Sequence, residues 1–216
     1  MRTLFRITTG LGLLAMLAAP AAAQGQGRGF GRGGGNPAML LSNAGVQKEL
    51  KLDDQQIEKA KEVAEKTREK MQAARESLQG LDQEERRAKM QEINREINAS
   101  TLKAIGEFLK PEQVARLKQI SYQLRGAQVF SDPEVQKKLN LSDSQKTDIQ
   151  AIQQESMQEM RTIFQENQDD PEARMKKMTE LRKQTLSKAE AKLNDEQRKT
   201  WKEMLGTPFE IKYEQN

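Results

Sequence analysis

Met157/Met160 and Met175/Met178 are the residues whose type and spacing come nearest to a ligating site. They are i, i+3 pairs on two successive helical stretches, and thioethers so placed could hold Cu(I), a soft cation. The same side chains can fill an apolar seam instead, as Met71 and Met90 would do without any such pairing. The acid pairs Glu84/Glu85 and Asp169/Asp170 have the types needed for acid–base work. Both fall where a helix would begin, and carboxylates there favour the positive end of the helix dipole. The chain has no His and no Cys. That removes nucleophile–base triads, zinc hydrolase sites, thiol chemistry and the Glu-x-x-His ligands of a di-iron bundle. The reading is of a protein that is not an enzyme, needs no cofactor and has no metal site beyond the methionine alternative.

Amides remain, and they are patterned. Four segments carry Leu, a short spacer and Gln: Leu52-Asp53-Asp-Gln-Gln56, Leu109-Lys110-Pro-Glu-Gln113, Leu141-Ser142-Asp-Ser-Gln145 and Leu193-Asn194-Asp-Glu-Gln197. Asp53, Ser142 and Asn194 are good N-caps, and Gln three positions on can reach back to the cap's amide as in a capping box. The preceding Leu is placed to pack on an apolar residue such as Ile57 or Val114. Lys110 is a poor cap, so Pro111 at N1 and Gln113 at N3 must start that helix.

These motifs must be carried by long helices. From Asp53, Ile57, Ala60, Ala64, Thr67, Met71, Ala74 and Leu78 recur in steps of three and four, a narrow coiled-coil-like seam. Gly80 breaks it. A helix of about 26 residues, about 40 Å long, then starts near Asp82 and carries Met90, Ile93, Ile97, Ala104 and Phe108. A shorter one runs from Pro111 to Gly126. The plan recurs downstream: Ile149 to Ile163 or Phe164 from Ser142, a turn at Asp169-Asp170-Pro171, Met175 to Leu193, then Trp201 to Gly206. Amphipathic lead-ins at about 43–52 and 132–141 precede each long helix. Val46-Gln-Lys-Glu-Leu-Lys-Leu52 matches Val135-Gln-Lys-Lys-Leu-Asn-Leu141 at a spacing of 89, and Leu109/Gln113 match Leu193/Gln197 at 84. The pattern predicts a tandem duplication.

Composition fits this. Aromatic residues are 4% and hydrophobic residues 35%, so thin seams are expected in place of a thick core. Arg2 and Arg6, an apolar stretch to about Ala19 and Ala21-Ala22-Ala23 read as a secretory signal peptide, residues 1–23. Its loss would halve the net charge of +4. Residues 24–37 are glycine-dominated and read as a flexible linker. Arg28, Phe30 and Arg32 are too few to hold a nucleic acid. Residues 38–130 and 131–216 form the two predicted helical repeats.

Paired Leu/Gln motifs in an exported all-helical chain resemble the Spy/CpxP family of periplasmic proteins, also called the LTxxQ-motif family. None of the four segments here has Thr in second place. The resemblance implies an all-α fold of long antiparallel helical hairpins in a thin, curved, cradle-like assembly. It further implies a periplasmic, ATP-independent holdase-type chaperone or envelope-stress adaptor. Its partners would be unfolded or misfolded exported proteins and a membrane sensor, without membrane insertion. With two repeats in one chain, the expected state is a monomeric pseudo-dimer or a homodimer. The alternatives are a Cu(I)-binding or metal-sensing protein and a structural oligomeric helical module.

Overall fold

The computed structural model describes residues 36–210. The predicted signal peptide and residues 24–35 of the predicted linker lie outside them. All regular elements among the described residues are helical: α1 (Pro37–Leu41), α2 (Ala44–Glu49), α3 (Asp54–Ser77), α4 (Gln83–Gly106), α5 (Pro111–Arg125), a 3-10 segment (Gly126–Ser131), α6 (Pro133–Lys138), α7 (Asp143–Glu166), α8 (Pro171–Glu190) and α9 (Asp195–Leu205).

The helix starts follow from local chemistry. Asp53, Asp82, Ser142 and Asn194 each accept a hydrogen bond from the amide three residues on, closing capping boxes with Gln56, Glu85, Gln145 and Gln197. Such caps supply partners for amides that the helix itself leaves orphaned. Lys110 makes no side-chain cap, and its amide is taken by Gln113 Oε1 at 2.9 Å. The lead-in helices end identically. Lys51 and Asn140 adopt positive φ, 51° and 48°, and Leu52 N and Leu141 N bond back to Gln47 O and Gln136 O, both at 3.0 Å. These are left-handed helix ends of the Schellman kind.

Two elements differ from the sequence reading. The glycine-rich stretch ends two residues early, because Asn36 caps α1 and Pro37 opens it. Leu40 and Leu41 on that helix are fully buried. The segment 126–131 is likewise a 3-10 turn that buries Val129 and Phe130. Both elements are too short for a periodic pattern to announce them.

Two apolar clusters result. The first gathers Leu40, Leu41, Val46, Leu50, Ala60, Ile105, Leu117 and Ile120. The second gathers Phe130, Val135, Leu139, Ile149, Ala189, Leu193, Trp201 and Met204. The Phe130 and Trp201 rings meet at 4.8 Å and 46°, and Trp201 Nε1 donates to Glu190 Oε1 at 2.7 Å. Above each cluster a long helix pair, α3 with α4 and α7 with α8, extends with fewer buried residues.

The halves are clasped where α5 meets α9. Gln123 Nε2 donates to the carbonyls of Leu205 (2.6 Å) and Thr207 (2.8 Å), while its Oε1 accepts from Phe209 N at 2.8 Å. Arg116 bonds Thr207 O at 2.9 Å and pairs with Glu49 at 2.7 Å. Gly206, at φ 62°, turns the chain so that Phe209 packs on the first cluster.

Candidate functional site

The four motif glutamines meet in pairs at the base of each helix pair. Gln56 Nε2 donates to Gln113 Oε1 at 2.8 Å, and Gln113 Nε2 donates back to Gln56 Oε1 at 3.2 Å. The remaining amide hydrogens go to Phe108 O and Leu50 O, both at 3.0 Å. Gln145 and Gln197 repeat this, at 2.7 and 3.0 Å, with Lys192 O at 2.8 Å and Asn140 O at 3.3 Å as the carbonyl partners. Each Oε1 also accepts its own cap amide. One carboxamide thus caps its own helix and grips the loop before its partner's helix. A carboxylate cannot substitute, since it has no hydrogens to donate. Leu52, Leu109, Leu141 and Leu193 sit in the apolar clusters beside these amides.

A second polar contact lies higher in each pair. Thr67 Oγ1 is 3.2 Å from Thr101 Oγ1, and Thr185 Oγ1 is 2.9 Å from Ser156 Oγ. Every buried side-chain nitrogen and oxygen among the described residues has a hydrogen-bond partner. These polar sites are therefore satisfied.

The remaining residues with chemical potential are dispersed. Asp82 and Asp170 serve as caps, and Glu84 N and Glu85 N bond Asp82 Oδ1 at 2.9 Å. Among the described residues no three carboxylates gather as a metal site. Met160 and Met178 are half-buried, whereas Met157 and Met175 are exposed, so each i, i+3 pair is split between seam and solvent. Lys146, 2.9 Å from Asp143, holds that carboxyl below its usual range, and both are on the surface. Between α7 and α8 a cleft beside Ser156 and Thr185 encloses about 10 Å³, room for roughly one water.

What the arms do offer is uncovered apolar surface. Met90 is 38% exposed, Phe164 49%, Met157 52% and Met175 66%. No helix among the described residues is long and apolar enough to cross a membrane. Sequence reasoning placed Met157 and Met175 as candidate ligands and left Ile163 or Phe164 as the last seam residue of α7; Ile163 is buried there and Phe164 faces outward. No protein-family model, no curated protein and no solved structure matches the chain.

Proposed function

We propose that this is an exported, ATP-independent holdase that binds unfolded or misfolded chains along its long helix pairs. The observation that carries the reading is the exposure of Met90, Met157, Phe164 and Met175 on helices otherwise covered with charged and amide side chains. Adaptable thioethers and long polar stems bind many sequences weakly, as a holdase must. The Leu/Gln motifs, with their Spy/CpxP-like pairing, support the same reading, and so does the signal-peptide pattern of residues 1–23, which would direct the chain to the periplasm.

The two halves are read as a tandem duplication in which each half contributes one hairpin to a curved cradle. Matching backbone at Lys51 and Asn140, and matching hydroxyl contacts at Thr67/Thr101 and Ser156/Thr185, support that reading. The chain would then act alone as a pseudo-dimer.

The test is light scattering of a chemically unfolded client, with the chain from Gln24 onward added at increasing ratio without ATP. Suppression near one chain per client is expected. Scattering unchanged at large excess, with the protein helical by circular dichroism, would overturn the reading.

A further inference from the structure

The second helix pair has two unlike flanks. On one, α7 and α8 are joined by ion pairs along their length: Asp148–Lys192 at 3.1 Å, Glu155–Lys188 at 3.0 Å and Glu166–Lys177 at 3.9 Å. Helical phase puts Met157, Arg161 and Phe164 on the other side of α7, and Met175 and Arg182 on the same side of α8. Arg174 lies 5.5 Å over the Phe164 ring and links the two rows. From Gln150 to Gln168 this flank of α7 carries no carboxylate, and neither does the row Met175, Thr179, Arg182, Leu186 on α8. Arg161, Arg174 and Arg182 have no ion-pair partner among the described residues. This flank is thus cationic and apolar, its arginines outside any ion pair, with Glu172, one turn before Met175, the carboxylate that borders it on α8.

The first half does not share this combination. At the spacings of 89 and 84, Met157, Phe164 and Met175 correspond to Arg68, Arg75 and Gln91. Arginine thus stands there in place of Met157 and Phe164, while the flank's own Arg161, Arg174 and Arg182 correspond to Gln72, the exposed Met90 and Asn98.

We infer that this flank of α7 and α8 is a docking surface for extended acidic segments in which carboxylates neighbour apolar side chains. The inference rests on the holdase reading and assigns the contact to the second half of the chain. Charge complementarity selects the occupant. Guanidinium groups spaced between thioethers and a phenyl ring pair with carboxylates, while the apolar groups meet the intervening side chains. A basic segment would meet three unpaired arginines. The ion-paired flank has its charges already engaged and offers little to either.

The experiment uses fluorescence anisotropy with two labelled peptides of equal apolar content, one alternating Glu with Leu and Phe, the other Lys with Leu and Phe. At low salt the Glu peptide should bind at least tenfold more tightly, with the gap narrowing as salt is raised. Met157→Gln with Phe164→Gln, and separately Arg161→Gln with Arg182→Gln, should each weaken it at least fivefold. Glu159→Gln, on the opposite side of α7, should leave it unchanged. All substituted positions are exposed, and circular dichroism checks the fold. Equal binding of the two peptides, or unchanged binding by both double variants, overturns the proposal. Affinity for phosphatidylglycerol vesicles without affinity for the Glu peptide overturns the partner class. The same variants in the aggregation assay separate the two ideas. Full suppression by both sinks the docking surface and leaves the holdase, whereas no suppression by the unaltered protein sinks the holdase.

Discussion

The side-chain amides of Gln56 and Gln113, fifty-seven residues apart in sequence, donate to one another at 2.8 and 3.2 Å. Each is the N3 residue of its own helix and at the same time a clamp on the other's approach loop. Replacing Gln113 by Ala leaves Leu50 O and Lys110 N without these partners in a buried setting. The expected loss is about 1–3 kcal/mol, read from urea unfolding. The double change at Gln56 and Gln113 should cost clearly less than the two single changes added. Simple additivity would mean that the amides act only as separate caps. At Gln145, which is less buried than Gln56, the single loss should be smaller.

Trp201 is the sole tryptophan, and it is buried against Phe130 with its indole nitrogen engaged by Glu190. Trp201→Ala should destabilise the protein by about 3–5 kcal/mol. Trp201→Leu, which installs the residue found at the matching position Leu117, should cost less. Emission in the native protein should be blue-shifted and should move red on unfolding. An emission maximum already at the solvent-exposed position would contradict the packing.

Tyr122 lies half-buried against the second cluster. Burial, then the charges of Asp132 and Glu134, push its phenol above the usual range, with Arg125 opposing. A raised folded value means the fold prefers the neutral phenol. The contribution is complete below the ordinary tyrosine value of about 10 and is lost as pH rises through the folded value. Stability should therefore fall more steeply at alkaline pH in the unaltered protein than in Tyr122→Phe. Absorbance titration near 295 nm checks this directly. A phenol that titrates at the free-tyrosine position would refute it.

Gly126 and Gly206 both end helices with positive φ, 54° and 62°, in combinations that side chains rarely adopt. Either change to Ala should cost about 1–3 kcal/mol of strain. Open space surrounds Gly126, whereas a Cβ on Gly206 would overlap the Gln119 side-chain amide. Gly206→Ala should therefore lose more, and it should loosen the Arg116–Thr207 contact beside it. Equal midpoints for the two variants in a denaturant series would argue against that contact.

The helix starts were legible because a cap needs only residues within one turn. Asp53, Asp82, Ser142 and Asn194 declared themselves by type and by the N3 residue that followed. The long seams were legible from steps of three and four, and Gly80 and Pro171 mark the breaks. The reciprocal amides were not legible. A capping box explains Gln56 and Gln113 fully at the local level, and nothing local says that the same atoms serve a second helix. Leu40, Leu41 and Phe130 were missed as core for a related reason. They lie on elements of five or six residues, whose order comes from the surface they cover and not from a repeating pattern. The two-sided character of α7 and α8 lay between these cases. The residues were visible, but which flank faced which depended on how the two helices meet.

Phe209 carries one further consequence. Its ring packs on the first cluster and reaches to 4.0 Å from where a Cβ on Gly45 would stand, so the end of the described chain returns close to its beginning. A covalent link between residues 210 and 36 would close the described fold into a loop. A circular permutant rejoined there and opened in the surface turn at Gln168–Asp170 would keep both apolar clusters and both glutamine pairs intact. Its helices would then be read out in a new order, with the present clasp between Gln123 and Phe209 placed in the middle of the chain.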